Sequence, residues 1–247
     1  MPSTRTARKA PVKNAAGSFV DHGDTTSQDT KSRILDVAET LFMEHGFEAT
    51  SLRQLTSSAA VNLAAVNYHF GTKEELFQAV LTRRLDPMNQ ERIELLAKME
   101  RDSGGRPIAV ERILAGMLVP ALRLARDEKR GGQNFLRLVG RAYADPAPFI
   151  RHFLSAQYAE MISRYKEAFH AALPHLSRQE LTWRLHFVMG ALSYTLAGTD
   201  ALKLFSHVAP AEKEDDELLI QRLAPFLVAG LKAPALTEAR KLELVTG

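Results

Sequence analysis

The fold of this chain is decided by residues 50–75, which read TSLRQLTSSAAVNLAAVNYHFGTKEE. Thr50 and Asn62 stand where their side chains can cap two short helices, because Thr and Asn accept hydrogen bonds from free first-turn amides. The run Thr72-Lys73-Glu74-Glu75 then matches a capping box, which begins a further helix. Two short helices separated by a few residues predict a helix-turn-helix.

A longer helix is predicted upstream of this motif. Its apolar stripe consists of Ile34, Leu35, Ala38, Leu41 and Phe42. Gly46 stands where a left-handed residue would end that helix. Residues 1–28 carry Pro, Gly, Ser, Thr and scattered charge without a hydrophobic period, so they are predicted to be a disordered basic tail. The predicted helix-turn-helix domain is therefore residues 29–75.

The two faces of the second short helix differ in character. The inward apolar positions of the motif are Leu55, Ala59, Val61, Val66 and Phe70. This leaves Leu63, Ala64, Asn67 and Tyr68 together on the outer face. Solvent-facing helices ordinarily carry Lys and Glu, whereas this face presents apolar groups, an amide and a phenol. An Asn amide suits an adenine edge and apolar groups suit thymine methyls, so the face is predicted to contact DNA bases in the major groove.

Charge near this face supports the same interpretation, although the bulk charge of the unit does not. Residues 29–75 contain four Lys/Arg and seven Asp/Glu, a net of −3, but residues 49–73 contain no acidic side chain. Phosphates respond mainly to near charges, because distant ones are screened over about 8 Å at physiological salt. The predicted phosphate partners are Thr50, Arg53, Tyr68, His69 and Lys73, together with the amino ends of the flanking helices.

The rest of the chain is predicted to be helical as well. Gly and Pro clusters at 104–107, 131–132, 145–148 and 174 separate segments of helical apolar spacing. The predicted helices run to about residue 99, then over 107–127, between 132 and 145, and over 147–173, 178–205 and 218–231. No alternating run is long enough for a sheet. The class is all-α, with a large ligand-binding and dimerisation domain at 76–232 and a C-terminal tail at 233–247.

Composition excludes several classes of function. The chain has no cysteine, which excludes disulfides, thiolate metal sites and a cysteine nucleophile. No apolar run is long enough to cross a membrane, so no membrane partner is predicted and a reducing cytoplasm is the expected compartment. Phosphate-binding glycine motifs and nucleophile elbows are absent, and the eight histidines lack metal-ligand spacing. Neither an enzyme nor a cofactor is predicted.

The large domain offers candidates for a ligand pocket and for a subunit interface. Arg137, Arg141 and His186 each interrupt an apolar helix, and a buried charge there needs a partner, such as a ligand carboxylate. The alternatives are an internal salt bridge or a partly exposed position. The full set of candidate ligand residues is Met117, Phe135, Arg137, Leu138, Arg141, Phe153, Met161, Tyr165, His186, Phe187, Met189 and Tyr194. The candidate interface residues, on the last two helices, are Trp183, Leu192, Leu196, Leu219, Leu223, Phe226 and Leu227.

The run from Ile34-Leu35-Asp36-Val37-Ala38 through Val61-Asn62-Leu63-Ala64-Ala65-Val66-Asn67-Tyr68-His69-Phe70 to Lys73-Glu74-Glu75-Leu76 resembles the N-terminal domain of TetR-family repressors. Many members have Ser-x-Gly-Thr where this chain has Asn62-Leu63-Ala64-Ala65, a departure that bears on the operator sequence. Residues 135–140, 183–190 and 225–230 are similar to the PsrA-like branch, whose members bind fatty acids or acyl-CoA.

The resemblance implies a homodimeric repressor that binds an inverted repeat in double-stranded operator DNA and is released by a small apolar effector. A dimer is also expected physically, because an inverted repeat needs two recognition helices about one duplex turn apart. The branch resemblance implies a fatty acid or acyl-CoA and control of lipid metabolism. The alternatives are a TetR-type regulator of other small apolar compounds, in efflux or catabolism, a helical lipid-handling enzyme, and a helical module for protein contacts.

Overall fold

A computed structural model describes residues 22–127, 132–144, 147–196 and 216–235 of the chain. Within these ranges the secondary structure is helical and contains no strand, which confirms the all-α class. The helices, numbered in chain order, are α1 (His22–Ala49), α2 (Leu52–Ser58), α3 (Leu63–Phe70), α4 (Lys73–Ser103), α5 (Val110–Arg126), α6 (Gly132–Ala144), α7 (Pro148–Gln157), α8 (Ala159–Ala172), α9 (Arg178–Leu196) and α10 (Asp216–Lys232).

Side-chain caps set the beginnings of α3 and α4, as predicted. Asn62 Oδ1 accepts a hydrogen bond from the Ala65 amide at 2.8 Å. The Glu75 amide donates to Thr72 Oγ1 at 3.1 Å, and the Thr72 amide donates to Glu75 Oε2 at 2.7 Å. These bonds satisfy first-turn amides that would otherwise have no partner. The helix-turn-helix boundaries are therefore local properties of the sequence.

The cap of α2 is Ser51, so the prediction of Thr50 was wrong. Ser51 Oγ accepts from the Gln54 amide at 3.1 Å, and the Gln54 side chain accepts from the Ser51 amide at 3.0 Å. Thr50 is 1% exposed, and its hydroxyl donates to the carbonyl of Gly46 at 2.8 Å. The acceptor of the Thr50 hydroxyl precedes Thr50 in the chain, so this residue stabilises the end of α1 and does not cap α2.

Helix α1 begins at His22, which places residues 22–28 in a helix and not in the predicted tail. These residues are polar and have no apolar period, so helical spacing could not reveal them. The remainder of the predicted tail, residues 1–21, lies outside the described residues. Near its carboxyl end α1 is interrupted at Gly46, whose φ is 82°. The sequence predicted an interruption at this glycine.

Four phenylalanine rings, called here the phenylalanine cluster, join the helix-turn-helix unit to the large domain. Phe42 of α1 meets Phe77 of α4 with ring centroids 5.0 Å apart in an edge-to-face pair. Phe47 lies 5.1 Å from Phe77 and 4.9 Å from Phe149, at the start of α7. Aromatic pairs at these distances add about 0.5–1.5 kcal/mol each beyond area burial. The cluster therefore connects α1, α4 and α7.

A buried carboxylate makes a second connection between α1 and α4. Glu39 is 4% exposed, and its carboxylate accepts hydrogen bonds from Arg84 Nε at 2.8 Å and from Arg83 Nη1 at 3.4 Å. Arg83 also donates to Asp36 Oδ1 at 2.5 Å. Removing one partner of such a pair leaves an uncompensated buried charge, which typically costs about 3–5 kcal/mol. The first turns of α4 are thereby held against α1.

In the large domain, α4 packs against α5, α7 and α8. Helix α6 packs against α5 and α9, and α10 packs against the same two helices. Helix α5 begins at Val110, because Ala109 before it has extended backbone angles, and the predicted beginning at 107 was early. The predicted continuation of α9 to residue 205 lies outside the described residues, as do residues 236–247 of the predicted C-terminal tail.

The predicted helix over 147–173 is in fact two helices, α7 and α8, which meet at Tyr158. This residue has φ −111° and ψ 18°, outside regular helical geometry. Its side chain is buried, and its hydroxyl donates to Asp86 Oδ1 of α4 at 2.9 Å. No glycine or proline marks the break, so it is associated with a contact 72 residues away that local spacing cannot reveal.

Arg184 attaches the end of α10 to α9. It is 8% exposed and pairs with Glu180 at 2.9 Å. Its guanidinium also donates to four backbone carbonyls at the end of α10 and just beyond, those of Gly230, Leu231, Ala233 and Pro234. Terminal helix carbonyls have no partner within their own helix, and here one arginine fork supplies it.

Gly71 permits the turn between α3 and α4, and alanine there should destabilise it. The φ of Gly71 is 76°, and an added Cβ would lie 2.1 Å from Glu75 Oε2. We expect Gly71→Ala to lower the free energy of unfolding by about 2–3 kcal/mol, from backbone strain of about 1–2 kcal/mol and a lost cap of about 1 kcal/mol. Urea unfolding followed by circular dichroism measures this.

Gly105→Ala is the matched control for this substitution. Gly105 also has a positive φ, 83°, but nothing lies within 4 Å of an added Cβ. Only the strain of about 1–2 kcal/mol should be seen there. Equal losses in the two variants would contradict the proposed role of the capping box in this turn.

Candidate functional site

The outer face of α3 is exposed as predicted. Tyr68 is 82% exposed and Leu63 is 49% exposed, and Ala64 and Asn67 are exposed beside them. Val66, on the opposite side of the helix, is fully buried. The face therefore projects an amide, a phenol and two apolar side chains from a helix that is held rigidly from behind.

The side chains around this face differ in their availability to phosphates. Arg53 is exposed on α2. Lys73 is half-buried, with its ammonium 3.4 Å from the Glu48 carbonyl oxygen and 4.3 Å from the Phe47 ring centroid. His69 is also half-buried, with its ring 5.0 Å from that of Tyr68. Of these cations, Arg53 is the one presented directly to solvent.

The structure argues against two of the predicted phosphate contacts. The hydroxyl of Thr50 is buried and already donates within the chain, so it cannot also serve a phosphate. The first turn of α4 contains Glu74 and Glu75, whose charges oppose an anion at that helix end. The first turn of α2 contains no acidic residue.

A cleft of about 430 Å³ lies between α4 and the junction of α7 and α8. Its walls are mixed in character, with apolar side chains beside amides and two carboxylates. The lining residues are Asp86, Pro87, Asn89, Gln90, Ile93, Gln157, Tyr158, Glu160 and Met161. A second space of about 260 Å³ lies between α4 and α5 and includes Met99 and Gly116. Of the predicted ligand residues, Met161 alone lines either space.

The other predicted ligand residues are divided between the core and the surface. Phe135, Leu138 and Tyr165 are buried in the core of the large domain. Met117, Phe153 and Met189 are half-buried against that core. Helical apolar spacing identified these residues as inward-facing but could not distinguish a packed core from a pocket wall.

Arg137, Arg141 and His186 are all exposed, so of the alternatives left open for them the structure shows the exposed position. Among the described residues, the Arg137 guanidinium donates to its neighbour Asn134 at 3.3 Å, and His186 lies on the open face of α9. Arg141 donates to the Met43 carbonyl near the end of α1 at 3.2 Å. Each of the three falls on the outward side of its helix, where solvent reaches its side chain.

Two arginines of restricted exposure were not predicted from the sequence, the buried Arg184 and the half-buried Arg92. Arg184 lies in an apolar stretch of α9, and that interruption could have identified it by the argument applied to His186. Arg92 lies in α4, among many charged residues, where nothing in the pattern distinguishes it. Its Nε donates to the Met117 carbonyl at 2.9 Å, and its Nη1 donates to Asn89 Oδ1 at 2.8 Å.

Three tyrosines near the cleft and near Arg92 stay neutral at physiological pH. Burial and the hydrogen bond to Asp86 hold the pKa of the Tyr158 phenol far above its ordinary value. Burial raises the pKa of Tyr165 to about 12, and it also raises the pKa of Tyr143. The Tyr165 hydroxyl donates to the backbone carbonyl of Arg92 at 2.9 Å.

Helices α9 and α10 expose large apolar side chains. Trp183 is 56% exposed and stacks on Phe187, which is 63% exposed, with ring centroids 6.1 Å apart. Tyr194 is 54% exposed and Phe226 is 69% exposed. Phe187 and Tyr194, predicted to line a ligand pocket, therefore share the outward side of α9 with Trp183. We call Trp183, Phe187 and Phe226 the aromatic face.

The predicted interface residues are only partly on this face. Trp183 and Phe226 are exposed and Leu223 is half-buried. Leu192 and Leu227, at 8% and 3% exposure, belong to the core of the subunit and were wrongly placed. The side chains of Leu196 and Leu219 lie outside the described residues.

No helix of the described residues is long and apolar enough to span a membrane. The same part of the chain contains no cluster of His, Asp or Glu side chains that could hold a metal ion.

Comparison with known families agrees with the geometry of both units. Residues 34–80 match the family described as bacterial regulatory proteins, tetR family, and residues 115–230 match the tetracyclin repressor-like C-terminal domain. The chain belongs to the TetR family. The first match covers the helix-turn-helix and the beginning of α4, and the second runs from α5 into α10.

Individual relatives of this TetR-family chain are similar mainly in the helix-turn-helix region. It is 35% identical over 63 residues to the HTH-type transcriptional regulator UidR of Escherichia coli strain K12, covering 26% of this chain and 32% of UidR. It is 33% identical over 104 residues to the HTH-type transcriptional regulator AcrR of Shigella flexneri, covering 42% of this chain and 45% of AcrR. The matches span less than half the length of these relatives.

Solved structures show the same fold over most of the TetR-family chain. The SmeT–triclosan complex superposes with a TM-score of 0.53 at 22% identity, covering 85% of this chain and 97% of SmeT. AmtR of Mycobacterium smegmatis superposes with a TM-score of 0.51 at 18% identity, covering 87% of this chain and 93% of AmtR. At these identities the likeness establishes the fold alone.

Proposed function

We propose that this TetR-family chain is a ligand-responsive transcriptional repressor that binds operator DNA as a homodimer. The observation that carries the proposal is the outer face of α3, where Leu63, Ala64, Asn67 and Tyr68 are exposed without a charged side chain among them. An amide and apolar groups on a rigid helix suit base edges in the major groove. The relatives reported above are named as transcriptional regulators, which supports this function over an enzyme.

The exposure of Tyr68 argues against the alternative of a protein-contact module. In a helix-turn-helix that binds proteins and not DNA, we would expect the Tyr68 side chain to be buried. At 82% exposure, Tyr68 instead stands free at the end of the face, beside Asn67. Arg53 lies on the neighbouring helix, where a phosphate partner is needed to fix the position of the recognition helix on the duplex.

The aromatic face supports a two-fold dimer. Trp183, Phe187 and Phe226 are each more than half exposed, although aromatic side chains of this size are ordinarily covered. A two-fold axis through this face would cover the same side chains on both subunits at once. Such a dimer would present two α3 helices to an inverted repeat, and the cytoplasm is the proposed compartment of the complex.

An effector in the cleft would act on the helix-turn-helix unit through α4 and α7. Both helices line the cleft, at Asp86 and Gln157 respectively. Both also reach the DNA-binding unit, through Phe77 and Phe149 of the phenylalanine cluster. Coupling of about 1–3 kcal/mol between two sites changes affinity roughly 5–150-fold, which suffices for induction.

The effector itself is proposed from chemistry and resemblance only. A fatty acid or acyl-CoA, with control of lipid metabolism, is our hypothesis from the PsrA-like resemblance. The cleft includes Ile93 and Met161 as apolar lining, which suits the apolar part of such a ligand. Another small apolar compound is the alternative, and SmeT is known in complex with triclosan.

Substitution of Asn67 tests the proposed base contact. We expect Asn67→Ala to weaken binding to a specific duplex by about 1–3 kcal/mol and to relax its sequence preference, because a bidentate base contact is lost. Fluorescence anisotropy with DNA from beside the chain's own gene measures this. Asn134→Ala, an exposed amide on α6, is the matched control. No duplex binding above the nonspecific level by the wild type would contradict the proposed function.

Substitution of Arg53 tests the proposed phosphate contact. We expect Arg53→Gln to weaken binding to all duplexes alike and to reduce the slope of log affinity against log salt by about 1. Arg53 tests this better than Lys73, because Lys73 also packs on Phe47. Arg151→Gln, an exposed arginine of α7, should leave the slope unchanged. An unchanged slope with Arg53→Gln would show that Arg53 does not contact phosphate.

If the aromatic face is the dimer interface, charged substitutions on it should separate the two subunits of the proposed dimer. We expect Trp183→Glu and Phe226→Glu each to weaken dimerisation by at least about 2 kcal/mol, roughly 30-fold, because buried aromatic anchors dominate interfaces. Analytical ultracentrifugation over a concentration series measures this. Ile162→Glu, on α8, is a control of similar exposure, 48%. A dimer that tolerates both aromatic substitutions as well as Ile162→Glu would place the interface elsewhere.

The phenylalanine cluster predicts the effect of removing Phe149. We expect Phe149→Ala to loosen the helix-turn-helix unit, so that amides of α1 near Phe47 exchange at least tenfold faster. Ile150→Ala, at the next position of α7, removes a buried side chain outside the cluster and should spare those amides. Hydrogen exchange read by mass spectrometry compares the two variants. Equal exchange of α1 in both would show that coupling does not pass through this ring.

A further inference from the structure

The half-buried Arg92 lacks the carboxylate partner that the other arginines of restricted exposure have. Among the described residues, the arginines that are not exposed are Arg83, Arg84, Arg92, Arg164 and Arg184. Arg83 and Arg84 pair with Glu39, Arg164 pairs with Glu100, and Arg184 pairs with Glu180. Within the same ranges Arg92 forms no salt bridge, and its neighbour Glu91 pairs with Arg123.

The partners of Arg92 are neutral. They are the backbone carbonyl of Met117 at 2.9 Å and the side-chain oxygen of Asn89 at 2.8 Å. Burial is the main influence on this guanidinium and lowers its pKa. Where such a charge is partly removed from water and held only by neutral acceptors, no opposite charge offsets its desolvation.

Two neutral phenols stand near the guanidinium. The Tyr165 hydroxyl of α8 lies 2.9 Å from the Arg92 carbonyl oxygen, and Tyr143 of α6 is the second phenol near this residue. Burial keeps both phenols protonated, but the single proton of Tyr165 is already donated to the Arg92 carbonyl, which leaves the Tyr143 hydroxyl as the donor for an anion. A guanidinium beside a hydroxyl donor suits a carboxylate or another compact anion.

The cleft between α4 and the α7–α8 junction leads to this group. Asn89 is 4% exposed, accepts from Arg92 and also lines the cleft. The guanidinium therefore contacts one residue of the cleft wall, although Arg92 itself does not line the cleft. Asp86 and Glu160 also line the cleft and would repel an anion near them, although Asp86 already accepts from Tyr158.

We propose that Arg92 is the anchor for the anionic group of an amphipathic effector that enters this cleft, with Asn89 giving up its bond to the guanidinium as the ligand binds. The apolar part of the ligand lies along Ile93 and Met161, which line the same cleft. The proposal rests on the function proposed above, and it adds the residue that would hold the anionic group of the effector.

Calorimetry on the full chain with three ten-carbon probes tests the proposal. Decanoate is anionic, decanol neutral and decylamine cationic, with the same apolar part. The wild type should bind decanoate at least tenfold more tightly than decanol and should bind decylamine most weakly. In Arg92→Met, decanoate affinity should fall at least tenfold to the level of decanol, whereas decanol affinity stays within twofold. Arg92→Lys should fall between, because it keeps the charge but loses the planar fork.

Arg151→Met is the matched control, and its decanoate affinity should equal that of the wild type. Wild-type binding that favours decylamine would overturn the proposal and assign the cleft to a cation beside Asp86 and Glu160. Equal decanoate affinity in Arg92→Met and the wild type, or no decanoate binding at all, would overturn it as well. The ranking of the three probes on the wild type needs no variant to fold.

Operator binding, measured on the same preparations, separates this proposal from the function on which it rests. If the wild type binds its operator but prefers decanol or decylamine to decanoate, only the role of Arg92 is lost. If the wild type binds no operator, the proposed function fails whatever the probes do.

Discussion

The contact among Phe42, Phe47, Phe77 and Phe149 is the interaction on which the rest of the structure depends. A helix-turn-helix of three short segments has too small a core to hold a fixed orientation by itself. These rings, from α1, α4 and α7, give it one by continuing its core into the large domain. The buried pair of Glu39 with Arg84 adds a directional contact beside them. Together they make the position of α3 a property of the whole subunit.

Some charged and apolar groups of this molecule have all their partners within one chain, and others do not. Arg184 donates hydrogen bonds to carbonyls at the end of α10 and pairs with Glu180, so the charge and these carbonyls have their partners within the chain. Arg92 lacks such a carboxylate, and the aromatic face lacks a covering surface. In the proposed function these incomplete places are where a ligand and a second subunit would act, because binding there removes a cost that the isolated chain bears.

Local features were predictable from the sequence, and long-range ones were not. The caps at Asn62 and Thr72 and the outward face at Asn67 follow from interactions within four residues, and all three are as predicted. The break at Tyr158 was missed because its side chain reaches a helix 72 residues away. Whether Arg141 is buried or exposed could not be decided from the sequence, since an arginine within an apolar helix can lie on either side of it.

The sequence by itself determined the all-α class, the helix-turn-helix and the character of its recognition face, because helix periodicity and capping are local and their geometry is nearly constant. Only the tertiary structure decided which apolar residues pack as core and which remain exposed. Leu192 and Phe187 have similar hydropathy on one helix, yet the first is buried and the second is 63% exposed. That difference depends on which neighbouring helices α9 meets, and the packing of distant segments is not encoded in local spacing.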